Sequence, residues 1–208
     1  MTCTKNTTWD GETMDEIKVG LQTFRQSLKV LDEKLEGEKI EIRAIGGFAL
    51  LFHKVRQTGS TRDIDSVTRD YSPRVQKLIK EVAEEASETL QVEEGWLNND
   101  NVFDNDIESI EAMLEPFWEK VEWGFSNITL YVADIETLFR AKLLASEDDN
   151  LTGRTQDLPD LVDIFFKEGK RTLGDCVDYC TKLDISLEKD YPRVYSRLVR
   201  VLKGECLV

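Results

Sequence analysis

The sequence predicts a mixed architecture, an α+β or α/β core with a helical tail, on three observations. Strand-like alternation dominates the middle of the chain, helical periodicity fills its C-terminal third, and one long amphipathic helix precedes both. A chain of 208 residues, 40% hydrophobic and 33% charged, is long enough to bury a sizeable core and reads as globular.

The first element is the long helix. Met14, Ile17, Leu21, Phe24, Leu28, Leu31 and Leu35 recur three and four residues apart, which builds an apolar stripe over residues 13–36, and Gly37 ends it. Residues 40–45 read as a short strand with Ile40 and Ile42 on one face. Gly46-Gly47 follows as a turn, and residues 48–54 continue as an apolar helix. The polar stretch 56–61, with Gly59, is a loop. Residues 62–67 return to strand alternation, with Asp63 and Asp65 on one face and Ile64 on the other.

Ser72-Pro73 is a helix-start signal, and Val75, Leu78, Ile79, Val82, Ala83 and Ala86 supply the apolar face of the helix it opens. Residues 91–116 carry little pattern, and the polar run 98–106 reads as a loop. Two strands, 120–125 and 128–132, flank Ser126-Asn127 as a hairpin-like pair. Asp134 then caps a helix through Ser146, and helices are expected near 156–167, 173–182 and 191–203. Residues 1–133 are expected to form the core with its N-terminal helix, and 134–208 a helical subdomain packed on it. There is no internal repeat or low-complexity segment.

Composition narrows the function classes. A formal net charge of −14 works against non-specific nucleic-acid binding, which needs clustered Lys and Arg to displace counterions. No segment approaches eighteen uninterrupted apolar residues and the N-terminus lacks the apolar core of a signal peptide, so no membrane partner and a cytoplasmic location are expected. Cys3, Cys176, Cys180 and Cys206 then read as reduced thiols, and with His53 the only histidine a zinc site is not expected.

The chemistry concentrates in two places. Glycine at a strand-to-helix turn permits positive φ and close approach of a ligand to the backbone, so Gly46-Gly47 can hold an anion such as a phosphate. Asp63 and Asp65, at i and i+2 on a strand, aim both carboxylates to one side, where they can share a hard cation such as magnesium. The bland alternatives are a tight turn and a solvated strand face. Glycine turn and paired acids at this separation form a rarer combination than either alone. Arg56 and Arg62 flank the acidic pair and are candidates for phosphate contact, Arg62 the weaker because it points to the opposite strand face.

The second place is downstream. Arg154, Asp157 and Asp160 are three apart at a helix start and share a face, where a neighbouring Lys142 can bring positive charge to a triphosphate. The competing reading is a surface salt-bridge network. His53 is read as packed or solvated rather than catalytic, and Trp96 as a buried side chain, with a substrate platform the alternative.

These residues resemble a known family. Ile45-Gly46-Gly47-Phe48-Ala49-Leu50, followed by Thr61-Arg62-Asp63-Ile64-Asp65, is similar to the signature of minimal nucleotidyltransferases of the DNA polymerase beta-like superfamily, which carry a Gly-Gly or Gly-Ser turn and then D-x-D. Leu138 to Ala145 (L-F-R-A-K-L-L-A) and Arg154 to Leu161 (R-T-Q-D-L-P-D-L) are similar to the K-L-x-A and R-x-x-D-L-x-D-L pattern of the AbiEii-like toxin branch. The two matches span roughly residues 42–166.

The resemblance implies an α+β fold, a small mixed nucleotidyltransferase sheet flanked by helices with a helical C-terminal part. It also implies a magnesium-dependent transfer of NMP from an NTP to an RNA (tRNA) or protein acceptor, in a toxin with a cognate antitoxin. By the same resemblance the catalytic residues are Asp63, Asp65, Lys142, Asp157 and Asp160, with Asp63 and Asp65 holding Mg²⁺. Gly46, Gly47, Thr61, Arg62 and Arg154 would bind the nucleotide, and Lys142 would contact phosphate or act as an acid–base, oriented by one of the helix aspartates.

The chain departs from the family in lacking an obvious third carboxylate on a later strand. Glu122 is the best placed by the expected strands. The alternative function is a non-catalytic nucleotide-binding or partner-binding module that keeps the fold, and a further one is an interaction protein that docks a partner on helix 13–36.

Overall fold

A computed structural model describes residues 14–56, 61, 63–67, 71–89, 95–98, 117–147 and 156–204. The side chains of 14–19 and 86–89 lie outside the described set, and with them the expected core positions Met14, Ile17 and Ala86. The chain order is α1 (Met14–Lys34), β1 (Ile40–Ile45), α2 (Gly46–Phe52), β2 (Ile64–Ser66), α3 (Pro73–Thr89), β3 (Leu97–Asn98), β4 (Trp118–Lys120) and β5 (Ile128–Ala133). The helices α4 (Ile135–Glu147), α5 (Asp157–Lys167), α6 (Leu173–Lys182), α7 (Leu187–Asp190) and α8 (Pro192–Leu202) follow. The class is α+β: a five-stranded mixed sheet with eight helices among the described residues. No described helix is long and apolar enough to cross a membrane.

The sheet order is β3-β2-β1-β5-β4. β1 lies parallel to β5 and antiparallel to β2, β3 pairs parallel with β2, and β4 pairs antiparallel with β5. Register sorts the side chains by face, because directly paired residues point to the same side. Ile42 and Ala44 stand beside Ile64, Ser66, Leu130 and Val132 on one face, and all six are buried. Glu41, Arg43, Ile45, Asp65, Asn98, Thr129 and Tyr131 share the other face and are all half-buried.

The apolar face meets Phe24, Leu28, Leu31 and Leu35 of α1 and Val75, Ile79 and Val82 of α3 in one cluster that runs on to Leu198 of α8. Asp32 ties α1 to the sheet: its buried carboxylate accepts the backbone N–H groups of Ser126, Asn127 and Ile128 at 2.5–3.0 Å, just where β5 begins. Cys176 and Cys180 are free thiols buried under α6, and burial pushes them up to about 11 and about 12.

Five expectations shift. The glycine pair opens α2 rather than preceding it, and the helix stops at Phe52 because Lys54 turns to φ 56°. β4 sits two residues earlier than the expected strand 120–125. Gly124, at φ 78°, breaks the alternation, and Trp123 and Phe125 pack edge-on in a row with Phe48 instead of pairing along a strand. The first strand after the loop is limited to Ile64–Ser66, with Asp63 just outside it. β3 was not expected: the Ile64 N–H bonds the Trp96 carbonyl at 2.6 Å, and Trp96 is fully buried with its indole N–H donating to the Ile79 carbonyl. The short helix α7 was also not expected; the Asp190 carboxylate closes it by accepting the Ser186 N–H at 2.9 Å. The expected loop 98–106 lies, beyond Asn98, outside the described residues.

Candidate active site

Two parallel neighbours end at the same edge of a sheet, so β1 and β5 deliver the helices that follow them, α2 and α4, to one place. α2 packs against α4, and α5 packs along α4. β2, running antiparallel, brings Asp65 directly opposite Ile45, the residue before Gly46. The glycine turn, the acidic pair and the start of the C-terminal helices therefore share one end of the sheet.

The glycines are needed at this approach. Gly46 has φ 66°, in the left-handed region, and a Cβ added to it would run into the Asp65 carboxylate at Oδ2. A Cβ on Gly47 would lie 2.5 Å from Thr61 Oγ1 and 2.9 Å from Arg56 Nη1. The turn is thus walled by Asp65 on one glycine and by Thr61 and Arg56 on the next. Thr61 Oγ1 also donates to Asp63 Oδ1 at 3.1 Å, which orients the first acid of the pair. Asp63 and Asp65 are half-buried; Asp65 lies on the half-open sheet face, and Asp63 stands just before β2.

From Arg56 the arrangement continues into α5. Arg56 Nε and Nη2 donate to Asp160 Oδ1 and Oδ2 at 2.9 and 2.7 Å, a bidentate fork between side chains that are 8% and 0% exposed. Lys142 Nζ reaches Asp157 Oδ1 at 2.5 Å and Asp160 Oδ2 at 2.8 Å. Gln156 Nε2 adds a further donor to Asp160 Oδ1 at 3.3 Å. Asp160 is therefore a saturated hub with no approach for a substrate. Asp157 differs: its Oδ2 is buried and has no hydrogen-bond partner among the described residues, so it retains acceptor capacity.

Asp163, one turn beyond Asp160, is buried beside the same charges. Burial first, and then the nearby Asp160, push its carboxyl up to about 6, against the pull of Arg56. The signal for it was present in the sequence as D-L-P-D-L-V-D, three aspartates at i, i+3 and i+6 on one helix face.

Of the expected site residues, Gly46, Gly47, Thr61, Asp63 and Asp65 cluster at the turn, and Lys142, Asp157 and Asp160 cluster on α4 and α5. Arg56, a flanking residue in the sequence, is the side chain that joins the two groups. Arg62 and Arg154 lie outside the described residues. Glu122 does not join the acids. It follows the end of β4, which stands three strands from β2, about 14 Å at sheet spacing, and its exposed side chain pairs with Lys120 at 3.2 Å. His53 packs against Phe52, and its Nε2 lies 2.8 Å from the Ala133 carbonyl.

No family model matches the sequence, and no curated protein and no solved structure matches it. The chemistry is read from the site itself. Asp63, beside Thr61, and Asp65, beside Gly46, are half-buried hard oxygen donors at the glycine turn, the donor type Mg²⁺ takes when phosphate and water complete its shell, so their chemistry fits that ion. Among the described residues no group of three or more His, Cys, Asp or Glu could hold a metal by itself.

Proposed function

We propose that the protein is a magnesium-dependent nucleotidyltransferase that moves NMP from an NTP to an RNA (tRNA) or protein acceptor. The carrying observation is that the glycine turn touches both motifs: Asp65 abuts Gly46, and Arg56 abuts Gly47 while gripping Asp160 of the downstream helix. The likeness of the upstream segment to minimal nucleotidyltransferases and of the downstream one to the AbiEii-like branch supports the same reading, and with it a cytoplasmic toxin restrained by an antitoxin.

In this reading Asp63 and Asp65 hold Mg²⁺, which when bound neutralises charge developing on the phosphates. Gly46 and Gly47 let the triphosphate approach the backbone, beside Thr61. Lys142 supplies fixed positive charge, oriented by Asp157, and Asp160 positions both cations rather than meeting the substrate. An acceptor hydroxyl attacks the α phosphorus in line, the bond to the β-phosphate oxygen breaks, and pyrophosphate leaves. Arg62 and Arg154 belong to the proposal through the family likeness alone.

The second reading is a nucleotide-binding or partner-binding module without catalysis. It is favoured by one specific observation, that Glu122 stands away from the acidic pair and no described carboxylate replaces it. Incubation with Mg²⁺, each labelled NTP and either tRNA or total protein separates the two, beside an Asp63→Ala/Asp65→Ala control. Label transfer that the control abolishes is the expected result. Magnesium-dependent NTP binding without transfer would select the binding module, and no binding would refute both.

A further inference from the structure

Arg56 sits where a discriminating group would sit. Two of its guanidinium nitrogens are taken by Asp160, and the third, Nη1, makes no hydrogen bond among the described residues and faces Gly47 beside Thr61 Oγ1. Its side chain is 8% exposed, so the charge is held in one orientation with little water to screen it. A guanidinium fixed at one edge presents its remaining N–H groups as a planar donor, the geometry that suits phosphate oxygens better than an ammonium does. Glycine at 47 keeps that edge uncovered, since any side chain there would strike Nη1.

We propose that Arg56, held in place by Asp160, is the residue that makes the site select a nucleoside triphosphate over a monophosphate, through contact of Nη1 with the β or γ phosphate. The inference rests on the nucleotidyltransferase reading. It assigns Asp160 a positioning role, because Asp160 acts only through Arg56 and Lys142.

The test is a titration of the full chain with Mg²⁺-ATP, Mg²⁺-tripolyphosphate and Mg²⁺-AMP, comparing the wild type with two variants. Arg56→Lys keeps a cation for Asp160 but removes the fork. Gly47→Ala keeps both charges of the ion pair but brings a Cβ against Arg56 Nη1 and Thr61 Oγ1, closer than either can tolerate, so the open edge of the guanidinium is pushed aside. Asp32→Asn, which weakens hydrogen bonds at the start of β5, is the control for simple destabilisation. Both site variants are expected to lose about tenfold to hundredfold in affinity for ATP and tripolyphosphate with AMP affinity kept, and Asp32→Asn to leave the ratio unchanged. An unchanged ratio in the site variants, or equal losses for all three ligands, would overturn the inference while leaving the nucleotidyltransferase reading standing. Should Arg56→Lys fail to fold, the charge-neutral pair Arg56→Gln/Asp160→Asn takes its place, with the same loss of the ATP-to-AMP ratio expected and an unchanged ratio overturning the inference. A wild type that binds neither ATP nor tripolyphosphate removes both readings together.

Discussion

Asp160→Ala is the sharpest perturbation available at this site. The carboxylate is fully buried and receives a bidentate Arg56 and Lys142, whose side chains are only 8% and 14% exposed, so solvent screens the interaction little. Its removal leaves Lys142 with Asp157 Oδ1 and Arg56 with Asp163 as the acids beside these cations among the described residues. Breaking one partner out of such a buried pair costs about 3–5 kcal/mol, against a total stability of about 5–15 kcal/mol for a domain. For a chain of this length each kcal/mol moves Tm by about 2–4 °C, so a drop of about 6–20 °C is expected.

Urea unfolding followed by far-ultraviolet circular dichroism measures the loss, with an unchanged m-value showing that the unfolding reaction is the same. The double variant Arg56→Met/Asp160→Leu is expected to be less destabilised than Asp160→Ala, because it deletes both charges and leaves a comparable apolar volume. A folded Asp160→Ala that loses less than about 1 kcal/mol would refute the reasoning, since that is the worth of a solvated pair. A double variant worse than the single would refute it equally.

Two further outcomes follow from neighbouring residues. A carboxyl raised in the folded state keeps its proton longer there than in the unfolded chain, so Asp163 lowers stability as pH rises from 3.8 through about 6. Asp163→Asn should therefore gain about 1–3 kcal/mol at pH 7 and little near pH 3.5, and urea midpoints showing the same gain at both would contradict this. Gly46→Ala forces a left-handed alanine, at about 1–2 kcal/mol, and drives a methyl group into the Asp65 carboxylate. It should lower Tm and abolish magnesium-dependent NTP binding, and a variant that melts and binds like the wild type would show that the turn and the acid are not in contact.

The local parts of this site were legible because their signals are local. Three-residue spacing puts Asp157 and Asp160 on one helix face whatever the rest of the fold does, and alternation places Asp65 opposite Ile64 in β2, while Asp63 falls outside the strand and is held by Thr61 instead. The long stripe of α1 and the Pro73 start of α3 were readable for the same reason. Tertiary packing decided the rest. Trp123 and Phe125 have the β-propensity of a strand, but the aromatic row with Phe48 and the positive φ of Gly124 take them out of the ladder. β3 has only two residues, too short to carry a period. Arg56 is readable as a loop residue flanking the acids and a candidate for phosphate contact, but its burial and ion pair are not, because the partner that buries it lies 104 positions away.

That separation explains why neither motif is a site alone. The acids and the glycine turn belong to a β-α-β segment that would fold with the same faces if β5 ran the other way. A reversed β5 would start α4 at the opposite end of a six-residue strand, about 20 Å from Gly46, and Lys142 and Asp160 would go with it. The parallel register, Ala44 beside Val132, keeps α4 at the edge where β1 ends. Parallel pairing also requires a long crossover, here all of α2, β2, α3, β3 and β4, which is why the two halves of the charge cluster are so far apart in sequence. The Arg56–Asp160 fork is the charged bond that ties the glycine turn to α5 across that crossover, so its loss should loosen the helix charges from the turn even where each half keeps its own local structure.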